Sequence, residues 1–344
     1  MSELQARVEG WPRRRGSLLR SRAADGLAVF PLGLVAFAVL AIVFPPYSGI
    51  FALALALEAH LFIASFLVFA PIEVLARSRL LGVALALLVG LGGGLFGSEW
   101  ISLPGSAAAR TDVTVMTWNL QHGSKPPAET VADLKAGSAD MIGLEELDTE
   151  TSLAIAQDPT ITARYPYRVM RPQPGVWGVG FLSRFPIVEE DSFILPSTIE
   201  ATVETPQGGV HVITCHSYPA SMTGGLLAPL SFDPTDRDRQ IALLRTHIEA
   251  AQSRGERLLV VGDFNTSPTE PEYRVLTAGL RDSWVEVGEG PGWTWRPGRL
   301  EFAGMGFLRI DLQLTSGMIR PSSLRIDCSH RSDHCQLVGG YELD

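Results

Sequence analysis

The chain has 344 residues, 46% of them hydrophobic, and a formal net charge of −9. That is enough apolar material for at least one full-sized core, and the length accommodates two units of about 100–200 residues each. The acidic balance weighs against a protein dedicated to holding long nucleic acid. The three cysteines, Cys215, Cys328 and Cys335, show neither a CxxC pattern nor the Cys/His spacing of a zinc site.

The charge is split along the chain. Before Arg110 there are 8 Arg against 6 Asp/Glu; from Arg110 onwards there are 20 Lys/Arg against 31 Asp/Glu, a net of −11. Residues 1–26 form a basic N-terminal segment with Arg13, Arg14, Arg15, Arg20 and Arg22. Three apolar runs follow within residues 27–98: Leu27 to Phe44, about Ile50 to Leu75, and Leu80 to Gly97. A membrane-spanning helix needs about 17–25 mostly apolar residues, so the expectation is a bundle of three transmembrane helices. A signal peptide would not continue into two further runs.

Arginine placement sets the expected orientation. The N-terminal arginines and the pair Arg77 and Arg79, between the second and third runs, belong on the cytoplasmic side, because the Pro45–Gly49 turn carries no Lys or Arg. Three crossings then place everything after Trp100 outside the cytoplasm, with the chain integral to the cell (inner or plasma) membrane. Glu58 and His60 fall inside the second run, where ionisable groups face a bundle interior or a partner; mutual packing and a proton or substrate path both fit them. Residues 99–110 read as a linker.

From residue 111 to 344 the pattern changes to short strands and amphipathic helices. Asp112–Trp118 alternates as a strand, and Ala139–Leu144 and Arg257–Val261 read as short buried strands. Thr235 to Arg254 reads as a helix with Ile241, Leu244, Ile248 and Ala251 on one face, bounded by Asp233-Pro234 and Gly255. Strands dominate, helices are few and polar clusters follow the strand ends. The implied fold class is α+β, with packed sheets and helices outside them.

Those polar clusters carry a resemblance. Met116-Thr117-Trp118-Asn119, Asp140 to Glu146, Val179 to Ile187, Ile213-Thr214-Cys215-His216, Val261-Gly262-Asp263-Phe264-Asn265, Arg309-Ile310-Asp311 and Ser332-Asp333-His334 occur in order, most of them closing an apolar strand. Together they resemble the signature strings of the endonuclease/exonuclease/phosphatase (DNase I-like) family, over about Thr111 to the C-terminus. The resemblance implies a four-layer αββα sandwich and a metal-dependent phosphoesterase. It implies Asn119, Glu146 and Asp333 at the metal, and Asp263, Asn265, His334, His216 and Asp311 as catalytic residues. Glu145 departs from the family's usual glutamine and adds negative charge next to the principal metal ligand. The histidine at 216 resembles the secreted-nuclease, sphingomyelinase and inositol-phosphatase branches, whereas the abasic-site repair branch usually has a tyrosine there. The three-span layout looks like bacterial members associated with cell-envelope lipid phosphates and glycopeptide resistance.

The chemistry asks for these residue types in its own right. A hard divalent cation such as Mg²⁺ takes one or two carboxylates plus waters and the substrate phosphate, which suits Glu146 with the amide oxygen of Asn119; Mn²⁺ suits the same donors. Asp263 is placed to orient and deprotonate a water, Asn265 to donate to a phosphoryl oxygen, and His334 and His216 to bind that oxygen as cations. An Asp311–His334 pair would keep His334 charged.

Three functions fit. One is an extracytoplasmic phosphatase or phosphodiesterase acting on a membrane-linked phosphate, such as a lipid headgroup or a polyprenyl (pyro)phosphate. A second is a tethered nuclease cleaving external DNA or RNA, and a third is an inactive domain used for binding. The tethering, the acidic charge and the apolar Met222–Ala228 loop after His216 favour the first. The Gly290–Pro297 loop, with Trp293 and Trp295, serves either a substrate contact or packing at the sheet edge. Cys328 and Cys335 fit either a disulfide or two unpaired thiols.

Overall fold

The computed structural model describes residues 22–101, 107–191, 197–225, 228–298 and 306–344. The chain divides into two compact units, one of residues up to Pro46 and Ile50–Gly97 and the other of Tyr47–Gly49 and Ser98–Asp344. Arg13, Arg14, Arg15 and Arg20 lie outside the described residues, as do Leu226 and Leu227.

The first unit is helical: α1 (Val29–Val43), α2 (Gly49–Ala56), α3 (Glu58–Ala76) and α4 (Arg79–Trp100). Three helices are long and apolar enough to cross a membrane: Arg22–Val43, Glu58–Ala76 and Arg79–Trp100, with mean hydropathies of 2.6, 2.0 and 2.2. Their outward faces expose large apolar side chains, among them Phe30, Leu40, Leu67, Val68 and Leu75, a surface that suits hydrocarbon rather than water. The second apolar run is not one helix. It breaks at Leu57 (φ −101°, ψ 12°), which puts the buried Glu58 in the first turn of α3. Arg77, in the left-handed region at φ 53°, ends α3 two residues before α4 begins. At Gly92 an added Cβ would lie 3.1 Å from the Phe62 ring, so a small residue there lets α3 and α4 approach closely.

The second unit is a stack of four layers. One six-stranded mixed sheet runs β13 (Ile319–Asp327), β14 (Gln336–Leu343), β1 (Val113–Asn119), β2 (Met141–Glu145), β4 (Val179–Ser183), β3 (Tyr167–Arg171). The other runs β11 (Arg281–Asp282), β12 (Asp311–Thr315), β10 (Leu258–Asp263), β7 (Gly208–His216), β6 (Thr198–Thr205), β5 (Ile187–Asp191). The two-residue period of the strands sorts their side chains. Val113, Val115, Met141, Phe181, Val203, Val212, Leu259 and Val261 fill the space between the sheets. Met116, Trp118, Ile142 and Leu144 point the other way, under α5 (Pro127–Ala136), α6 (Thr149–Gln157) and α7 (Pro159–Arg164). On the far side Ile213, Leu258 and Val260 pack with Ile241, Leu244, Ile248 and Ala251 of α8 (Thr235–Ser253). This is the expected α+β sandwich, and the predicted helix face is the one that packs.

Within Met222–Ala228, read as a loop, Met222–Gly225 and Ala228 belong instead to two paired strands, β8 (Ser221–Gly225) and β9 (Ala228–Asp233). Cross-strand pairing of Met222 with Phe232 and Thr223 with Ser231 overrides the weak strand signal of a glycine-containing stretch.

Candidate active site

The strand ends bring the polar clusters together. Asn119 closes β1 beside Glu145 at the end of β2, in parallel register. In the other sheet Asp263 closes β10 in register with His216 on one side and Asp311 on the other. His334 lies two residues before β14, the strand that pairs with β1. Gly262 makes the approach of β10 to β7 workable. Its φ is +142°, and a Cβ there would sit 1.9 Å from the Cys215 carbonyl oxygen, so glycine is required one residue before Asp263.

Contacts of 3.9 Å or less connect seven of the eight residues singled out in the sequence. Asn119 Nδ2 donates to Glu146 Oε1 (3.1 Å) and Asp263 Oδ2 (3.0 Å). Asp263 Oδ2 lies 3.6 Å from both His216 Nε2 and His334 Nε2, and His216 Nε2 is 3.9 Å from Glu146 Oε1. Asn265 Nδ2 is 3.3 Å from His216 Nε2, and His334 Nδ1 is 2.9 Å from Asp311 Oδ2. Asp333 is held differently: its carboxylate accepts from Trp295 Nε1 (3.2 Å) and its N–H donates to Gln121 Oε1 (3.1 Å). Trp295 is thus half-buried packing next to the His334 strand end, where it orients Asp333.

Three of the four non-glycine residues with positive φ among the described residues are here: Gln121 (53°), Glu146 (55°) and Asn265 (50°). Such conformers cost about 1–3 kcal/mol and persist where surrounding bonds over-determine them. For Glu146 those bonds come from Asn119 Nδ2 and from the His122 N–H, 2.9 Å from Oε2. For Asn265 they come from its N–H to Asp263 Oδ1 (2.9 Å) and its Nδ2 to Ser217 O (2.9 Å). His216 is oriented from behind, its Nδ1 2.9 Å from the Val176 carbonyl, so Nε2 faces the carboxylates.

Burial shapes the proton affinities. It pushes Asp263 up to about 6 against the opposing pull of His334 and His216. Burial alone would lower His334, but Asp311 and Asp263 outweigh it and raise the imidazole to about 10, so it is a cation at neutral pH. Glu145 is the departure from expectation. Its carboxyl is fully buried between the sheets, accepting from Thr117 Oγ1 (2.8 Å) and Thr214 Oγ1 (3.3 Å). Burial raises it to about 8, so at neutral pH it holds its proton and adds no charge beside Glu146.

A folded-state value above the unfolded one means that Glu145 costs stability increasingly as pH rises from about 4.5 to about 8. Glu145→Gln is expected to raise the melting temperature of the metal-free protein at pH 8 by roughly 2–4 °C per kcal/mol of cost removed. At pH 4.5 it should change little. Thermal unfolding in chelator at both pH values checks this.

The donors fit a hard cation. Glu146, Asp263, Asp311 and Asp333 outnumber the two imidazoles, an oxygen-rich donor set of the kind a hard divalent cation takes. As oriented, Asn119 turns its amide N–H to the carboxylates while Oδ1 accepts from the Gln121 N–H (2.9 Å). An oxygen ligand at this position needs the amide to rotate and trade that bond for the cation. Asp263, Asp311 and His334, with ligand atoms within 4.8 Å of one another, form a second grouping able to hold a metal.

Sequence reasoning missed the supports, because they arrive from distant loops. Ser332 Oγ donates to Asn119 O (2.7 Å) and accepts from the His334 N–H (3.0 Å). The buried Arg296 guanidinium donates to the carbonyls of Cys328, His330 and Ser332. Cys328 and Cys335 are joined in a disulfide that closes this loop, at a sequence separation of 7. Loop-closure entropy for such a ring is about 2.5 kcal/mol. Reduction is therefore expected to lower the melting temperature by roughly 5–10 °C, and activity with it, as scanning calorimetry and assays with and without reductant would show.

A model of the Endonuclease/Exonuclease/phosphatase family matches residues 116–334. No curated protein matches the chain. Among solved structures, a 3′ phosphatase from Neisseria bound to a product DNA hairpin aligns with TM-score 0.51 and 22% identity, covering 67% of this chain and 99% of that one. A mannosyl-6-phosphatase from Bacteroides thetaiotaomicron aligns with TM-score 0.53 and 15% identity, covering 67% and 100%. TDP2 from D. rerio, complexed with a single-strand DNA product, aligns with TM-score 0.52 and 15% identity, covering 67% and 98%. At these identities the likeness is one of fold.

Proposed function

The chain belongs to the endonuclease/exonuclease/phosphatase family, and from that premise we propose that it is a metal-dependent phosphoesterase acting outside the cytoplasm on a membrane-linked phosphate, a lipid headgroup or a polyprenyl (pyro)phosphate. The observation that carries the reading is the single cluster in which Asn119, Glu146, Asp263, His216 and His334 meet at the ends of both sheets.

In this reading residues 1–26 are cytoplasmic, 27–98 span the membrane, 99–110 connect and 111–344 catalyse. Glu146, Asn119 with its amide rotated, and Asp333 released from Trp295 would hold Mg²⁺ or Mn²⁺, which would supply Lewis-acid stabilisation of the phosphoryl charge. Asp263, flanked by two imidazoles, orients the attacking water and takes its proton. A carboxylate raised to about 6 accepts a proton more readily than an ordinary one while remaining ionised at neutral pH. His334, cationic through Asp311, and His216 with Asn265 bind the phosphoryl oxygens as charge develops.

Two observations support the external side. Arg22, Arg77 and Arg79 flank the spans on one side while the Pro45–Gly49 turn has no basic residue. A disulfide suits an oxidising compartment. Two favour a lipid-linked substrate over nucleic acid. The three apolar spans tether the domain to a membrane, and the net charge of −11 from Arg110 onwards opposes a polyphosphate backbone. Lys125, Arg237, Arg245, Arg296 and Arg309 are moreover buried and cannot line a groove.

The test is the full chain in detergent with Mg²⁺ or Mn²⁺, assayed against a polyprenyl pyrophosphate, a phospholipid panel and plasmid DNA. Phosphate or headgroup release with DNA intact is the expected result. Metal-dependent DNA cleavage without lipid turnover would replace this reading with a tethered nuclease, and inertness on all three with metal bound would leave a binding domain.

A further inference from the structure

On the outer face of the second sheet, the first turn of α8 reaches the site from behind. Arg237 and Gln240 stand three residues apart, hence on one face of the helix, and both are buried. Arg237 Nη1 donates to the Asn265 carbonyl (2.6 Å). Its Nη2 meets Glu270 (2.8 Å) and its Nε meets Asp238 (3.1 Å), while the other Glu270 oxygen accepts the Ser267 N–H (2.7 Å). Gln240 Oε1 accepts the Tyr218 N–H (2.7 Å). Residues 217–218 follow β7 and His216, and Asn265 follows β10 and Asp263. One helical turn therefore fastens both loops that leave the two central strands.

We propose that Arg237 and Gln240 are positioning residues of the active site, Arg237 fixing the left-handed Asn265 so that its amide meets His216, and Gln240 fixing the loop whose Ser217 carbonyl receives that same amide. The inference rests on the phosphoesterase reading of this site. A guanidinium is suited to the task because its planar fork donates to Asn265 and Asp238 in fixed directions while pairing with Glu270, which an ammonium at the same place cannot do. The hydrogen bond to Asp238 and the ion pair with Glu270 hold the guanidinium still while Nη1 donates to the Asn265 carbonyl. Without it, a residue in a sparsely populated conformation loses one of the bonds that over-determine it.

The experiment compares Arg237→Lys, Asn265→Ala and the double variant, as full chains in detergent with Mg²⁺. Lysine keeps the charge opposite the buried Glu270 and removes only the fork. Arg237→Lys is expected to lower kcat by roughly ten- to a hundredfold with KM little changed, as misplacement of a transition-state contact does. The double variant should be no slower than Asn265→Ala, since both act through one contact. Wild-type kcat in Arg237→Lys, or losses that multiply in the double variant, would overturn the proposal.

A second readout is independent of turnover. The chain has only two asparagines, Asn119 and Asn265, so asparagine-selective ¹⁵N labelling yields two side-chain amide signals. Arg237→Lys should move that of Asn265 and leave that of Asn119; an unmoved Asn265 signal in a folded variant would refute the assignment. Should the lysine variant fail to fold, Gln240→Leu makes the same test through Ser217 and Tyr218. A wild type that hydrolyses no phosphate ester while the Asn265 signal still shifts would sink the phosphoesterase reading and leave the positioning contact standing.

Discussion

Glu146→Gln is expected to lower the rate of phosphate-ester hydrolysis on the order of 10²–10³-fold and to weaken Mg²⁺ binding by at least roughly tenfold. The side chain keeps its length, so the variant isolates the charge. Glu146 is the carboxylate that the chain strains to present: its φ is 55°, and the Asn119 amide and the His122 N–H hold its two oxygens. Both are neutral donors, and with the His216 imidazole no nearer than 3.9 Å the carboxylate stays available to a cation. Activity measured against Mg²⁺ concentration, beside calorimetric titration of the metal, separates lost binding from lost chemistry. An unchanged Mg²⁺ requirement in Glu146→Gln would shift the cation to the Asp263, Asp311 and His334 grouping.

Asp311→Asn should have an effect of similar size, roughly 10²–10⁴-fold on kcat, with a distinct pH signature. Asp311 Oδ2 lies 2.9 Å from His334 Nδ1, and this carboxylate, with Asp263, raises the imidazole to about 10 although burial alone would lower it. If His334 acts as a cation, activity holds below about pH 10 and falls as pH rises through it. The acidic limb belongs to Asp263, raised by burial to about 6, so activity rises as pH climbs through that value. The wild type is therefore expected to show a plateau between the two limbs. In Asp311→Asn the alkaline limb should move down towards the ordinary histidine range of about 6.5, collapsing the plateau. Stability follows the same sign: the His334 contribution is complete below about pH 6.5, is lost as pH rises through about 10, and should be largely absent in the asparagine variant. A kcat–pH profile of both proteins decides it, and an alkaline limb that stays in place would assign it to another group.

What the sequence made legible is what local pattern encodes. Apolar runs of membrane length, the two-residue alternation around Val113 and Val115 and the helical spacing of Ile241, Leu244, Ile248 and Ala251 all reappear in the fold. Asn119, His216 and Asp263 were visible because each closes a strand. Contacts between distant loops were not visible. Arg296 reaches Ser332 across 36 positions, and Arg237 reaches Asn265 across 28; neither has a periodicity to betray it. The charge of Glu145 was misjudged for a related reason: its ionisation depends on burial between Thr117 and Thr214, two residues brought together only when the sheets pack. The pairing of β8 with β9 escaped because glycines and mixed polarity weaken a strand signal that cross-strand pairing later supplies.

The most direct test of the central claim uses intact spheroplasts carrying the full-length chain, with a membrane-impermeant phosphodiester added outside and hydrolysis followed with Mg²⁺ or with excess chelator, beside the Glu146→Gln chain. The account predicts hydrolysis by intact cells that stops in chelator and is absent from the Glu146→Gln chain. Hydrolysis that appears only after lysis would put the domain on the cytoplasmic side, and hydrolysis indifferent to chelator or to Glu146 would contradict the metal site itself.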